Sequence, residues 1–175
     1  MKKRKRTGAG LFIFDNNKNI LLLKRAKDSS YPLSWSLPGG SLEESDLVTS
    51  VMNPPDESYT LEEYFNCAKR ETLEETNIDL DKHQYDSGFY NYNQSGEYQY
   101  ITFYIKVSDL KELEKDLVLD KAENIEFKLF SKQDIYSLAR HMEDDKKEVA
   151  KKDSMHPGLS DIIEEVFLVI EEVYF

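Results

Sequence analysis

A single cysteine, Cys67, in 175 residues excludes an internal disulfide and fits a reducing compartment. No apolar run approaches the ~18 residues of a membrane span, and Leu11-Phe12-Ile13-Phe14 is too short for the core of a secretory signal. These absences predict a cytoplasmic protein with no membrane partner. Positive charge is also scarce: 23 Lys and Arg stand against 34 Asp and Glu, giving a net charge of −11. Such a chain is poorly suited to bulk nucleic acid backbone or to anionic membranes. If it handles polyanions, positive charge must be supplied locally, by metal ions and a few basic side chains. His141 and His156 have no partner at metal-ligand spacing, so neither is expected in a site.

What is present is concentrated between Leu37 and Ile78. Thr60 and Glu63 have the spacing of a capping box and predict a helix start. On that helix Glu71, Glu74 and Glu75 share one face at i, i+3 and i+4. Like charges at that spacing cost about 0.2–0.5 kcal/mol per pair, so a helix that gathers three of them is expected to hold a cation. Hard oxygen ligands suit Mg²⁺ or Mn²⁺. Leu61, Phe65, Ala68 and Thr72 fall on the neighbouring arc, which predicts a buried stripe beside the acidic one and carboxylates at the edge of a cleft. Cys67, on the same helix, reads as a small buried thiol rather than a nucleophile.

Together with Trp35, Leu37 and Pro38-Gly39-Gly40 upstream, this pattern resembles the Nudix box. In that motif a Gly, five residues, a Glu, seven residues and Arg-Glu-aliphatic-x-Glu-Glu-x-Gly-aliphatic form a loop-helix-loop that holds divalent metal against a diphosphate. Position by position, Gly40 resembles the opening glycine, Arg70 the arginine, Glu71, Glu74 and Glu75 the metal-binding carboxylates, and Ile78 the closing aliphatic. Three departures accompany the match. Gly40 and Arg70 are thirty positions apart (70 − 40) where the motif has about fourteen, so an insert divides the box. Because of that insert the motif's first Glu is either Glu62, correctly spaced from Arg70, or Asp46, correctly spaced from Gly40. Thr72 stands for the aliphatic, with a hydroxyl able to bond back up the helix. Asn77 stands for the glycine, and asparagine suits a left-handed helix end.

Around the box the chain reads as a sheet protein. Residues 1–7 form a basic tail ahead of a domain over residues 8–175. That tail serves as a targeting signal, a phosphate-contacting arm or a plain solvated terminus. Strands are predicted over residues 8–14 and 20–23, joined by a polar turn, with Lys24 and Arg25 at the end of the second. The resemblance implies that Arg25 faces substrate, where a guanidinium grips phosphate bidentately. The insert, about residues 45–59, contains Asn53-Pro54-Pro55-Asp56 and cannot be continuous helix. It is expected at the rim of the site, as a lid or as a surface insertion. Residues 88–92 and 98–107 read as strands, the second with Ile101, Phe103, Ile105 and Val107 on a core face and tyrosines on a polar one. Those tyrosines either stack on a nucleobase or pack across strands. Ser131 to about Arg140 reads as a helix, residues 141–155 as a polar helix or loop, and residues 160–175 as an amphipathic helix packing on the domain or on a second subunit in a homodimer.

The resemblance implies an α/β fold, a Nudix-like αβα sandwich with a mixed β-sheet, and a pyrophosphohydrolase acting on acid anhydrides. Mg²⁺ or Mn²⁺ would be held by Glu71, Glu74, Glu75 and a carbonyl at Gly39 or Gly40, with the glycine loop against substrate and Arg70 orienting the carboxylates. The general base would be Glu74, Glu75 or the outlying Glu123, for which Glu126 is the second choice. The substrate expected is a nucleoside diphosphate linked to another moiety, such as ADP-ribose, or a nucleoside triphosphate. The lack of proline between Pro55 and Pro157 counts against the ADP-ribose group, and capped RNA is the sole nucleic acid considered. The rival reading is a catalytically silent Nudix-like module that binds a nucleotide or a protein.

Overall fold

The computed structural model of the chain describes residues 6–48, 59–95, 98–144, 154–160 and 162–173. Its first hairpin joins β1 (Arg6–Phe14) to β2 (Ile20–Arg25) through a turn in which Asp15 Oδ1 accepts from the backbone N–H groups of Asn17 and Asn19. These strands pair at Phe14 and Ile20, then take different neighbours. β1 runs parallel to β6 (Tyr98–Val107) and antiparallel to the short β4 (Gly39–Ser41), with Gly10 opposite Gly39. β2 runs antiparallel to β3 (Ser34–Ser36) and β7 (Asn124–Phe130). The chain between β3 and β4 bridges the two groups, and Leu11 N–H donates to the Pro38 carbonyl at 3.0 Å. A wedge therefore opens between β1/β4 and β2/β3, floored by the Pro38-Gly39-Gly40 turn.

Among the described residues eight strands form this mixed sheet, which β5 (Tyr85–Ser95) and β8 (Ser154–Met155) complete at its two ends. Helix α1 (Leu61–Thr76) covers one face, over Ala9, Leu11, Ile13, Leu21, Ile101 and Ile105. The other face carries α3 (Lys132–Asp144) and α5 (Ile163–Val173) over Phe12, Phe14, Leu22, Trp35, Tyr104 and Phe130. Helices on both sides explain why β1 and β2 read as continuous apolar runs. Each fully buried Leu, Ile or Phe contributes roughly 1.5–3 kcal/mol. The same packing corrects the expected polar face of residues 98–107, since Tyr104 and Thr102 are buried.

The C-terminal part differs from expectation in its boundaries. α3 continues to Asp144, and residues 145–153 lie outside the described residues. A one-turn α4 (Pro157–Ser160) precedes α5, whose Ile163, Val166, Phe167 and Ile170 join the core with Ile162. The terminal helix thus packs on its own sheet. Between β6 and β7 the charged stretch forms a short α2 (Leu110–Glu114). The Asn53-Pro54-Pro55-Asp56 turn and residues 2–5 of the basic run lie outside the described residues.

Candidate active site

The helix that carries the acidic residues is fixed at both ends. Thr60 Oγ1 accepts from Glu63 N–H (3.2 Å) and Glu63 Oε2 accepts from Thr60 N–H (2.7 Å), the predicted capping box. Asn77 ends α1 in the left-handed region at φ 61° and donates its N–H to Leu73. Thr72, buried, donates its hydroxyl back to Ala68 at 2.8 Å. The phase of the buried stripe is a correction. Leu61 is 45% exposed and Phe65 half-buried, whereas Tyr64, Cys67, Ala68, Thr72, Glu75 and Thr76 face inward. At 100° per residue Glu75 lies about 20° from Tyr64 and Ala68, so this carboxylate belongs to the core face rather than to its border.

Burial without partners would be prohibitive for a carboxylate, and Glu75 has two. Its Oε2 accepts the Gly39 N–H at 2.9 Å and its Oε1 accepts Asn124 Nδ2 at 3.1 Å. Burial nevertheless pushes its pKa up to about 7; these two donors oppose the shift, and nearby Glu123 and Glu71 add to it. One turn back, Glu71 is likewise raised by burial, against the Arg70 guanidinium 3.0 Å away. Its carboxylate lies where Gly40 has no side chain: a methyl carbon there would stand 2.4–2.6 Å from the Glu71 carboxyl atoms.

Arg70 settles which acid opens the box. Its Nε and Nη2 reach Asp46 Oδ1 and Oδ2 at 2.8 and 3.0 Å, a bidentate pair with Asp46 almost wholly buried. Asp46 ends a 3₁₀ turn (Glu44–Asp46) and accepts the Glu43 N–H at 2.8 Å, while Glu62 is exposed in the first turn of α1. Of the two acids at motif spacing, Asp46 is the one Arg70 holds. Arg70 also donates to the Ser41 carbonyl and to Glu74 Oε2, both at 2.9 Å, and the Asp46 bond raises its pKa further. The guanidinium ties the glycine turn, the 3₁₀ turn and α1 together.

The wedge holds a cavity of about 830 Å³, with Glu71, Glu75, Glu123, Gly39 and Gly40 on its wall. Arg6 and Arg25 line it too, and Arg25 Nε is held by the Ser30 carbonyl at 2.7 Å. Glu74 is not on that wall; its side chain is 57% exposed and turned to Arg70. Glu126 pairs across the strand with Lys24, at 3.9 Å. The Gly40 carbonyl faces the Cys67 thiol at 3.8 Å, and burial pushes that thiol's pKa up to about 12, so Cys67 is inert as a nucleophile. His156, which has no partner at metal-ligand spacing, lines the cavity, edge-on to Tyr31 at 4.8 Å. A second hollow of about 490 Å³, beside Lys18 and the start of α3, gathers no carboxylates.

Among the described residues no three His, Cys, Asp or Glu side chains close around one point. Glu74 is drawn outward by Arg70, and Glu75 is committed to Gly39 and Asn124. The chemistry of the set still fits a hard divalent cation: Glu71, Glu75 and Glu123 present oxygen donors to one cavity beside a glycine backbone, and their mutual repulsion is written into the raised Glu75. Asn124 was not legible from the sequence, and Tyr100 was read only as one tyrosine of a polar strand face; the register of β7 on β2 and of β6 on β1 brings them here.

A family model described as NUDIX domain matches residues 4–152. Compared by sequence with curated proteins, the chain has no match. Solved structures of similar fold include a NUDIX hydrolase from Nitrosomonas europaea, at 20% identity and TM-score 0.61 over 99% of this chain and 74% of that one. A MutT protein from Methanosarcina mazei Go1 aligns at 20% identity and TM-score 0.56, covering 98% and 99% of the two chains. A C. elegans Ap4A hydrolase aligns at 17% identity and TM-score 0.56, over 95% and 98%. At these identities the structural likeness is one of fold.

Proposed function

This chain belongs to the NUDIX domain family and is a pyrophosphohydrolase of that kind; from that premise we propose that it splits the phosphoanhydride of a nucleoside diphosphate linked to a second moiety, with Mg²⁺ or Mn²⁺. The observation that carries the reading is the convergence of Glu71, Glu75 and Glu123 with Gly39 on one cavity wall. Those three carboxylates and a carbonyl at Gly39 or Gly40 would hold the cation. When bound, the cation neutralises phosphate charge and lowers the pKa of an attacking water. Arg70 fixes the direction of Glu71 relative to the glycine turn, and Asn124 with Gly39 N–H fixes Glu75. Glu123, on the opposite side of the wedge from α1, accepts the proton of the attacking water. Arg25 contacts a phosphate oxygen.

The wedge leaves room on both sides of this floor. Arg6 and Asn93 stand on the β1/β5/β6 side and Arg25, Tyr31 and His156 on the β2/β3/β8 side. That suits a diphosphate flanked by two groups, as in a nucleotide-sugar or a dinucleoside polyphosphate, better than one with a single bulky end. The test is phosphate or nucleotide release from ADP-ribose, Ap4A and nucleoside triphosphates, each with Mg²⁺, with Mn²⁺ and with chelator. Metal-dependent turnover is expected. Binding of nucleotide with no turnover under any condition would replace the enzyme reading with a silent binding module.

A further inference from the structure

Gly10 makes room for one side chain, and Gly8 and Gly39, whose nearest obstacles include the Gly40 and Ala9 carbonyl oxygens at 2.3 and 2.5 Å, border it too. A methyl carbon at Gly8 would stand 3.2 Å from Tyr100 Cδ2, one at Gly10 2.4 Å from the Tyr100 hydroxyl oxygen, and one at Gly39 2.5 Å from the same oxygen. The Tyr100 ring therefore lies across β1 and β4 along a path cleared of side chains, in register with Gly8, with Tyr98 stacked on it at 5.9 Å. Its hydroxyl ends between Gly10 and Gly39, beside the peptide whose N–H binds Glu75, on the wall of the cavity. A phenylalanine would fill the same slot. The added hydroxyl has no hydrogen-bond partner among the described residues, and an O–H left unpaired beside a buried acidic floor calls for an acceptor.

We propose that the Tyr100 hydroxyl donates a hydrogen bond to a non-bridging oxygen of the substrate diphosphate, making Tyr100 a substrate-positioning residue of this cleft. The hydroxyl opens on the cavity, so its acceptor there is water until an oxygen of a bound substrate takes that place. Burial holds the phenol pKa well above its ordinary value, so the group stays a donor across the working pH range. This inference rests on the proposed diphosphate chemistry.

Tyr100→Phe tests it, since it keeps the ring that fills the glycine slot and removes only the hydroxyl. The readouts are the Kd for inorganic pyrophosphate in Mg²⁺ by calorimetry, KM and kcat on whichever nucleotide is turned over, Mn²⁺ affinity, and the unfolding midpoint. Pyrophosphate Kd and KM should each rise on the order of tenfold or more, as for a lost hydrogen bond to a charged oxygen. Mn²⁺ affinity and the midpoint should stay unchanged. Unaltered pyrophosphate Kd in the variant, or a wild-type protein that does not bind pyrophosphate, overturns the proposal and leaves Tyr100 a space-filling residue. If no nucleotide is hydrolysed but the variant weakens pyrophosphate binding, the hydrolase reading fails while this contact stands.

Discussion

Asp46→Ala is the sharpest test of how the site is held. Asp46 is 2% exposed and takes two charge-assisted hydrogen bonds from Arg70, at 2.8 and 3.0 Å. Breaking a buried ion pair by removing one partner costs about 3–5 kcal/mol. After Asp46→Ala the guanidinium keeps Glu71, Glu74 and the Ser41 carbonyl, so the loss belongs at the lower end, about 3 kcal/mol. Arg70→Met instead strands a buried carboxylate with the Glu43 N–H alone, and belongs at the upper end, about 5 kcal/mol. For a chain of this length 1 kcal/mol shifts Tm by about 2–4 °C, so Asp46→Ala should melt roughly 6–12 °C lower. Urea unfolding of the wild type, both single variants and the double variant, in chelator, gives the coupling energy directly. Glu62→Ala, at the rival position, should stay within about 0.5 kcal/mol of wild type. Equal losses at Glu62 and Asp46, or a coupling energy near zero, would refute this account of the box.

Gly39 and Gly40 should fail differently. Gly39→Ala, at φ 152° and with its methyl 2.5 Å from the Ala9 carbonyl oxygen, should unfold the protein at markedly lower urea, whereas Gly40→Ala displaces only the Glu71 carboxylate. Mn²⁺ titration should show Gly40→Ala weakened severalfold with near-native urea midpoint. Glu75 gives a pH signature in chelator. With its pKa raised from 4.5 to about 7, its contribution to stability is fully present below pH 4.5 and is lost as pH rises through 7, about 3 kcal/mol in all. Thermal melts of Glu75→Gln should lack that decline, and a profile identical to wild type would show that Glu75 ionises as an ordinary carboxylate. Glu123→Gln should reduce kcat by at least a hundredfold, while Glu126→Gln, exposed beside Lys24, should leave it within about twofold.

The elements of the fold were legible because they are stated locally. The alternation of residues 98–107, the Asp15 turn between two apolar runs, and Thr60 with Glu63 each specify a strand, a hairpin or a cap from a few neighbouring residues. Asn77 likewise announced a left-handed end, and φ 61° is what it adopts. Placement across the sheet was not stated locally. That Tyr104 on the tyrosine face of β6 is covered depends on α3 and α5, which begin 25 or more residues after that strand ends (132 − 107).

The site was legible as a set of residue types and illegible in its geometry, and Glu75 shows why. A sequence pattern locates the buried face of a helix from its apolar residues, so Leu61 and Phe65 drew the predicted stripe toward themselves. Leu61, however, is the first residue of α1 and is exposed, while Tyr64 in the same turn carries the buried face. The true face is centred on small residues and on Glu75 itself, a carboxylate that no hydrophobicity count places inside. It can be there because Gly39 N–H and Asn124, from two separate strands, meet it. The same logic applies to Asp46: two acids satisfied the spacing equally, and only the hold of Arg70 decides between them. A buried charge is specified by its partners, and partners across a sheet are set by register, which one strand's sequence does not carry.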